Sequence, residues 1–168
     1  MTDLQRKEQF WNFMVQVRFE QYYYIEYRRK CLTITRWCKW TPKTVTTIAA
    51  LLWMQWNTTI WLCSTCSIII LLMQVAELII EKLPYEDRLS DITDLADETL
   101  PILRDIEAEW HHMEDDSYAF CEIPERIKVY TTQLDEIKRH YMKNDELPHE
   151  ENCIQKATQN TQEYFQHF

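Results

Sequence analysis

Residues 44–76 read TVTTIAALLWMQWNTTIWLCSTCSIIILLMQVA, 33 residues without a single charge. Any fold of this chain has to house that run. As one helix it would extend about 50 Å at about 1.5 Å per residue, against roughly 30 Å for a bilayer core. It is too long for one crossing and too short for two unless its flanks contribute. The polar cluster Gln55, Asn57, Thr58 and Thr59 divides it. Beyond the cluster, residues 60–80 have the apolarity of a membrane helix. Before it, residues 42–56 are marginal alone and would insert as the other arm of a hairpin. Pro42 suits a first helical turn, where its missing N–H costs nothing.

The flanks extend this reading. Trp37 and Trp40 precede the run, and Trp53, Trp56 and Trp61 surround the polar tip. Tryptophan gathers at both membrane–water interfaces, so these five are candidate interface anchors. Arg28, Arg29, Lys30, Arg36, Lys39 and Lys43 lie just before the first arm. Positive charge marks the cytoplasmic side, which puts the chain in the inner (cytoplasmic) membrane with both termini cytoplasmic. Close helix approach would use the small residues Ala49, Ala50, Cys63, Ser64, Cys66 and Ser67. Gln74 and Glu77, late in the second arm, join Cys63, Ser64 and Ser67 as candidate span-packing or pore-lining positions. The competing reading, a hairpin buried within a soluble protein, must hide 33 uncharged residues in a chain of 168.

Composition narrows the fold class. There is no glycine, where roughly twelve would be ordinary at about 7%. Gly-rich phosphate loops are thereby excluded, and tight hairpins and glycine-closed helices are disfavoured. An all-helical protein is expected. The net charge of -9 is unevenly spread: residues 1–43 carry nine Lys/Arg and four Asp/Glu, residues 77–168 carry nine and 23. That partition lacks the basic stripe of a nucleic-acid binder. The six cysteines come without an apolar export signal, and are read as reduced thiols.

Outside the run the apolar period is helical. Phe10, Phe13, Met14, Val17 and Tyr24 recur at helical spacing, and residues 8–40 read as one long helix. Its aromatic and basic side chains would suit an anionic membrane surface; alternatively its aromatic face packs on the C-terminal helices. After Pro84, Leu89, Ile92, Ala96, Thr99, Leu103, Ile106, Trp110 and Met113 step by three and four. Ile123, Ile127, Tyr130, Leu134, Ile137 and Tyr141 form a second such series, beginning beside Pro124, with Glu114–Ser117 as the loop between. Leu89, Ile92, Leu103, Ile106, Trp110, Ile127, Leu134 and Ile137 are the expected seam of an antiparallel helical or coiled-coil pair. A last helix over residues 148–165 carries Ile154, Ala157, Thr161 and Phe165 on one side. The expected organisation is a juxtamembrane amphipathic helix at 1–41, a two-helix transmembrane hairpin at 42–82 and an acidic cytosolic helical region at 83–168.

Candidates for chemistry are few. Cys63-Ser64-Thr65-Cys66 is a CxxC without a basic neighbour to lower a thiol pKa. Glu109 and His112 form a Glu-x-x-His, the spacing that di-iron bundles place on core-facing helix positions, but here Trp110 takes the seam position between them. His149 and Cys153 could share a metal, but two ligands do not make a site. No catalytic residue, cofactor or metal is assigned.

The layout resembles the SLATT-type small bacterial proteins with two transmembrane helices. The likeness rests on the basic aromatic N-terminal helix, the hairpin at 42–80, the pair Gln74-Val75 late in the second arm, and Leu83-Pro84-Tyr85 leading into the helical region. It implies an oligomeric, pore-forming effector of a bacterial defence or conflict system, gated by a partner that senses nucleotide or phage cues. The function expected is membrane perturbation by oligomeric assembly, with the lipid bilayer, further copies of the chain and a cytosolic protein as partners. The alternative is a membrane-anchored helical scaffold or adaptor that recruits a cytosolic partner. A soluble helical enzyme is a third reading.

Overall fold

The computed structural model describes residues 2–55, 60–81, 85–113, 120–142 and 147–167, and these are helical almost throughout. Five α-helices follow in order: α1 Asp3–Gln55, α2 Ile60–Glu81, α3 Tyr85–His112, α4 Ile123–Tyr141 and α5 Glu151–Gln166. A single 3-10 turn, Phe120–Glu122, leads into α4. No described residue has a positive φ or a cis peptide bond, as a chain without glycine would favour. The expected loop at Glu114–Ser117 and the tip around Trp56 and Asn57 lie outside the described residues, as do Leu83 and Pro84.

The chain divides into two compact units. Unit 1 comprises residues 1–29 and 90–168, and unit 2 residues 30–89. In unit 1 the first part of α1 turns Phe10, Met14, Val17, Gln21 and Tyr24 inward, a stripe spaced by four and three. It meets Leu103, Ile106 and Met113 of α3 and Ile123 and Leu134 of α4, all buried. Trp11, Trp110, Ile127, Tyr130 and Phe165 close over that core. A second cluster gathers Tyr24, Leu95 and Ala96, with Tyr23, Ile137, Tyr141 and Leu147 packed on it. The aromatic face of α1 therefore packs on the C-terminal helices, the second of the two alternatives. α5 approaches through small side chains one turn apart, Cys153, Ala157 and Thr161, all buried. Pro124 falls in the first turn of α4, where no N–H is missed.

Pro42 departs from expectation. It lies well inside α1 and not in a first turn. Its ring removes one N–H from the helical ladder, and threonine hydroxyls bond back to carbonyls nearby. Thr41 Oγ1 donates to the Trp37 carbonyl at 2.7 Å and Thr46 Oγ1 to the Pro42 carbonyl at 2.7 Å. α3 likewise continues through Pro101.

The membrane-embedded hairpin is not supported. Among the described residues no helix is long and apolar enough to cross a membrane. The reason lies in where the helices break and where charge returns. The uncharged run is shared between the last twelve residues of α1 and the first seventeen of α2, before Glu77. At about 1.5 Å per residue these segments reach roughly 18 Å and 26 Å, each short of the roughly 30 Å hydrocarbon layer. Threonine dilutes the first, and Ser64, Thr65 and Ser67 the second. The transmembrane assignment and the inner-membrane location built on it fall together.

Candidate interaction site

Unit 1 concentrates its polar chemistry in cross-helix ties. The Arg18 guanidinium pairs with the Glu107 carboxylate on α3, donates to Gln21 Oε1 at 3.2 Å and stacks 3.9 Å from the Tyr164 ring centroid on α5. Glu109, buried on α3, accepts from Tyr130 Oη at 2.8 Å and pairs with Arg126 Nε at 3.0 Å. Lys138 of α4 reaches Glu20 at 2.6 Å. Glu26, also buried, meets Arg29 at 2.7 Å and Lys156 of α5 at 3.9 Å. Tyr23 Oη donates to the Pro148 carbonyl, which holds the approach to α5. The ion pairs Arg18–Glu107, Glu109–Arg126, Glu20–Lys138 and Glu26–Lys156 each join two different helices, and their acids and bases neutralise one another.

These ties set the tyrosine ionisation. Burial, then the nearby Glu109 carboxylate, raises the Tyr130 pKa above its ordinary value. Burial and Glu20 do the same for Tyr24. A hydrogen bond to Glu98, 2.7 Å from its oxygen, raises Tyr141 to about 12. All three phenols are therefore neutral donors and not nucleophiles at neutral pH.

Glu109 is engaged by Tyr130 and Arg126, while His111 and His112 are exposed. His149 is exposed and Cys153 buried. No group of three or more His, Cys, Asp or Glu is gathered among the described residues. Cys38, Cys66 and Cys121 are free thiols.

Unit 2 has a different character. Its buried positions are small or compact: Cys31, Pro42 and Ala49 on α1 and Cys66 on α2. On α2 the sheltered face continues through Ile70, Met73 and Glu77, half-buried at helical spacing from Cys66. The opposite face of α2 is open. Ile68, Leu71, Val75 and Leu78 lie there, with Leu71 and Leu78 each 62% exposed, and Trp61 at the start is 84% exposed. Ile69 and Leu72 flank them. On α1, Trp37, Trp40, Ile48, Leu51, Leu52, Trp53 and Met54 are exposed as well. Fifteen of the seventeen large apolar residues exposed among the described ones belong to unit 2.

The sequence-derived candidates are distributed as follows. Ser64, Ser67 and Gln74 are exposed on α2, Glu77 is half-buried on its sheltered face, and Cys63 lies on the same helix. Trp37, Trp40, Trp53 and Trp61 are exposed; Trp56 lies outside the described residues. Ile92, Leu103, Ile106 and Leu134 are buried in unit 1, with Trp110, Ile127 and Ile137 partly buried against them. Leu89, at the end of unit 2, is half-buried. Sequence reasoning missed the outward apolar stripe of α2 as a face in its own right. Its signal was present, because residues 68, 71, 75 and 78 step by three and four, but the helix had been read as a membrane span whose packing or pore-lining positions were Cys63, Ser64, Ser67, Gln74 and Glu77.

Compared with known proteins, the chain matches no family model, no curated protein and no solved structure.

Proposed function

We propose that this protein is a helical scaffold that works by self-assembly and not by catalysis, with unit 2 as the assembling part. The observation that carries this is the exposed apolar face of unit 2. At about 150–250 Å² per aromatic side chain, the fifteen residues, eight on α1 and seven on α2, together offer on the order of 1,000 Å² of apolar surface. The largest patch on an ordinary monomer is about 300–600 Å², and a stable interface takes about 800 Å² from each partner. A second copy supplies a surface of the same kind and extent. Unit 1 supports the same reading from the other side. It holds twelve Lys/Arg against 23 Asp/Glu, while unit 2 holds six against four. A strongly acidic bundle repels its like, so copies associate through the uncharged part and display the acidic part to other partners.

Light scattering coupled to size exclusion, run on the full chain over a range of concentrations, tests this. A mass that is a multiple of 20.6 kDa is expected. A 20.6 kDa particle at every concentration would remove the proposal.

A further inference from the structure

The exposed stripe of α2 has more order than a merely greasy surface requires. Trp61, Ser64, Ile68, Leu71, Val75 and Leu78 step by three, four, three, four and three, the spacing of a and d positions in a heptad. The whole series lies on the side of α2 away from the sheltered Cys66, Ile70 and Met73, and every member is exposed. It is a coiled-coil seam without its mate. α1 has an outward series of the same spacing, Trp37, Trp40, Thr44, Thr47, Leu51 and Met54. Threonine occupies its centre, and three of the other four are bulky or flexible rather than seam-forming.

The residue types on α2 identify the mate. With Trp61, Ile68 and Val75 as a positions, the d positions are Ser64, Leu71 and Leu78. β-Branched residues at a with leucine at d favour two parallel strands; isoleucine at both favours higher order. Within the stretch from Trp61 to Leu78 the flanking e and g positions are Thr65 and Leu72, and Ser67 and Gln74; the next g position, Glu81, is the last residue of α2. None of the four between Trp61 and Leu78 is charged, so nothing along that stretch sets like charge against like when identical helices align. From this we infer that α2 pairs in register and in parallel with α2 of a second copy, through Ile68, Leu71, Val75 and Leu78. The inference rests on the self-assembly proposed above and adds the helix, the face and the direction.

Photo-crosslinking of the full-length purified protein tests it, with p-benzoylphenylalanine at position 78 in one preparation and at position 61 in another. The expected products join 78 to the neighbourhood of 78, and 61 to the neighbourhood of 61, identified by mass spectrometry of the linked peptides. Links from 78 to the neighbourhood of 61 would mean antiparallel strands and overturn the inference. So would links that leave α2, or no links in a preparation whose mass is oligomeric; self-assembly would survive all three. A monomeric mass would defeat both. A second pair of variants reads the seam without the crosslinker. Leu71→Glu should raise the dissociation constant at least tenfold, whereas Asp97→Ala, exposed on unit 1, should leave it unchanged. Leu71→Ile with Leu78→Ile should move the assembly from two copies to three or more. An unaltered two-copy mass in both the Glu and the Ile variants would overturn the seam.

Discussion

Arg18 and Glu107 show most directly how single residues hold unit 1 together. Both side chains are largely withdrawn from water, and the guanidinium also lies on the Tyr164 ring. Removing one partner of such a pair strands the other charge, at about 3–5 kcal/mol. Arg18→Met should therefore lower unfolding stability by about 3 kcal/mol. Arg18→Met with Glu107→Met should recover a substantial part of that, both read from urea midpoints. Equal losses in the single and double variants would mean that Arg18 acts through its ring stacking alone. Tyr130 gives a pH signature. Its folded pKa lies above its unfolded value, so its contribution is complete below about pH 10 and is lost as pH rises through the folded value. Melting temperature should fall on the alkaline side of pH 10, and Tyr130→Phe should flatten part of that fall. None of these ties was legible in the sequence. Arg18 and Glu107 are 89 positions apart, and Lys138 and Glu20 are 118, and no local pattern announces such pairings.

Elements were legible where one periodic stripe set the answer. The three–four series on α3 and α4 contain most of the residues found buried there, from Ile92 to Ile137, but not Leu95, which is fully buried. Two features escaped. α1 runs unbroken through Pro42, where the sequence suggested a first turn, since the ring costs the ladder a single N–H. The apolar run misled for a different reason: it was divided at residues 55–59, but the second arm was carried past Glu77 and the first was left to its flanks, and neither helix holds enough uncharged length. Within unit 1, α5 docks through Cys153, Ala157 and Thr161, a shallow face without room for a large side chain. Ala157→Leu should overpack it at about 1–3 kcal/mol. Hydrogen exchange should then quicken across residues 151–166 and remain slow in the middle of α3. Uniform acceleration through all four helices of unit 1 would show instead that α5 belongs to one cooperative unit with the rest.

On the scale of the whole molecule, charge and apolarity are segregated between the two units. This gives the assembly an unusual dependence on salt. Contacts built on ion pairs loosen as salt screens them, with a Debye length of about 3 Å at 1 M. Copies joined through an uncharged face, each bearing the excess acid of unit 1, should instead bind more tightly as salt rises. Sedimentation at low and high ionic strength distinguishes the two, and weakening with salt would count against the apolar interface.

The threonines along α1 and α2 bear on that interface in another way. Thr41, Thr44, Thr46, Thr47 and Thr65 each return the hydroxyl proton to a carbonyl of their own helix, a bond this side chain makes readily. What such a residue offers its surroundings is chiefly a methyl group. A side chain scored as polar by its letter is thus close to a valine in how it meets a neighbour. Wetting along these helices is patchier than a residue count suggests, and the dry area extends beyond the residues that any hydropathy scale marks as apolar.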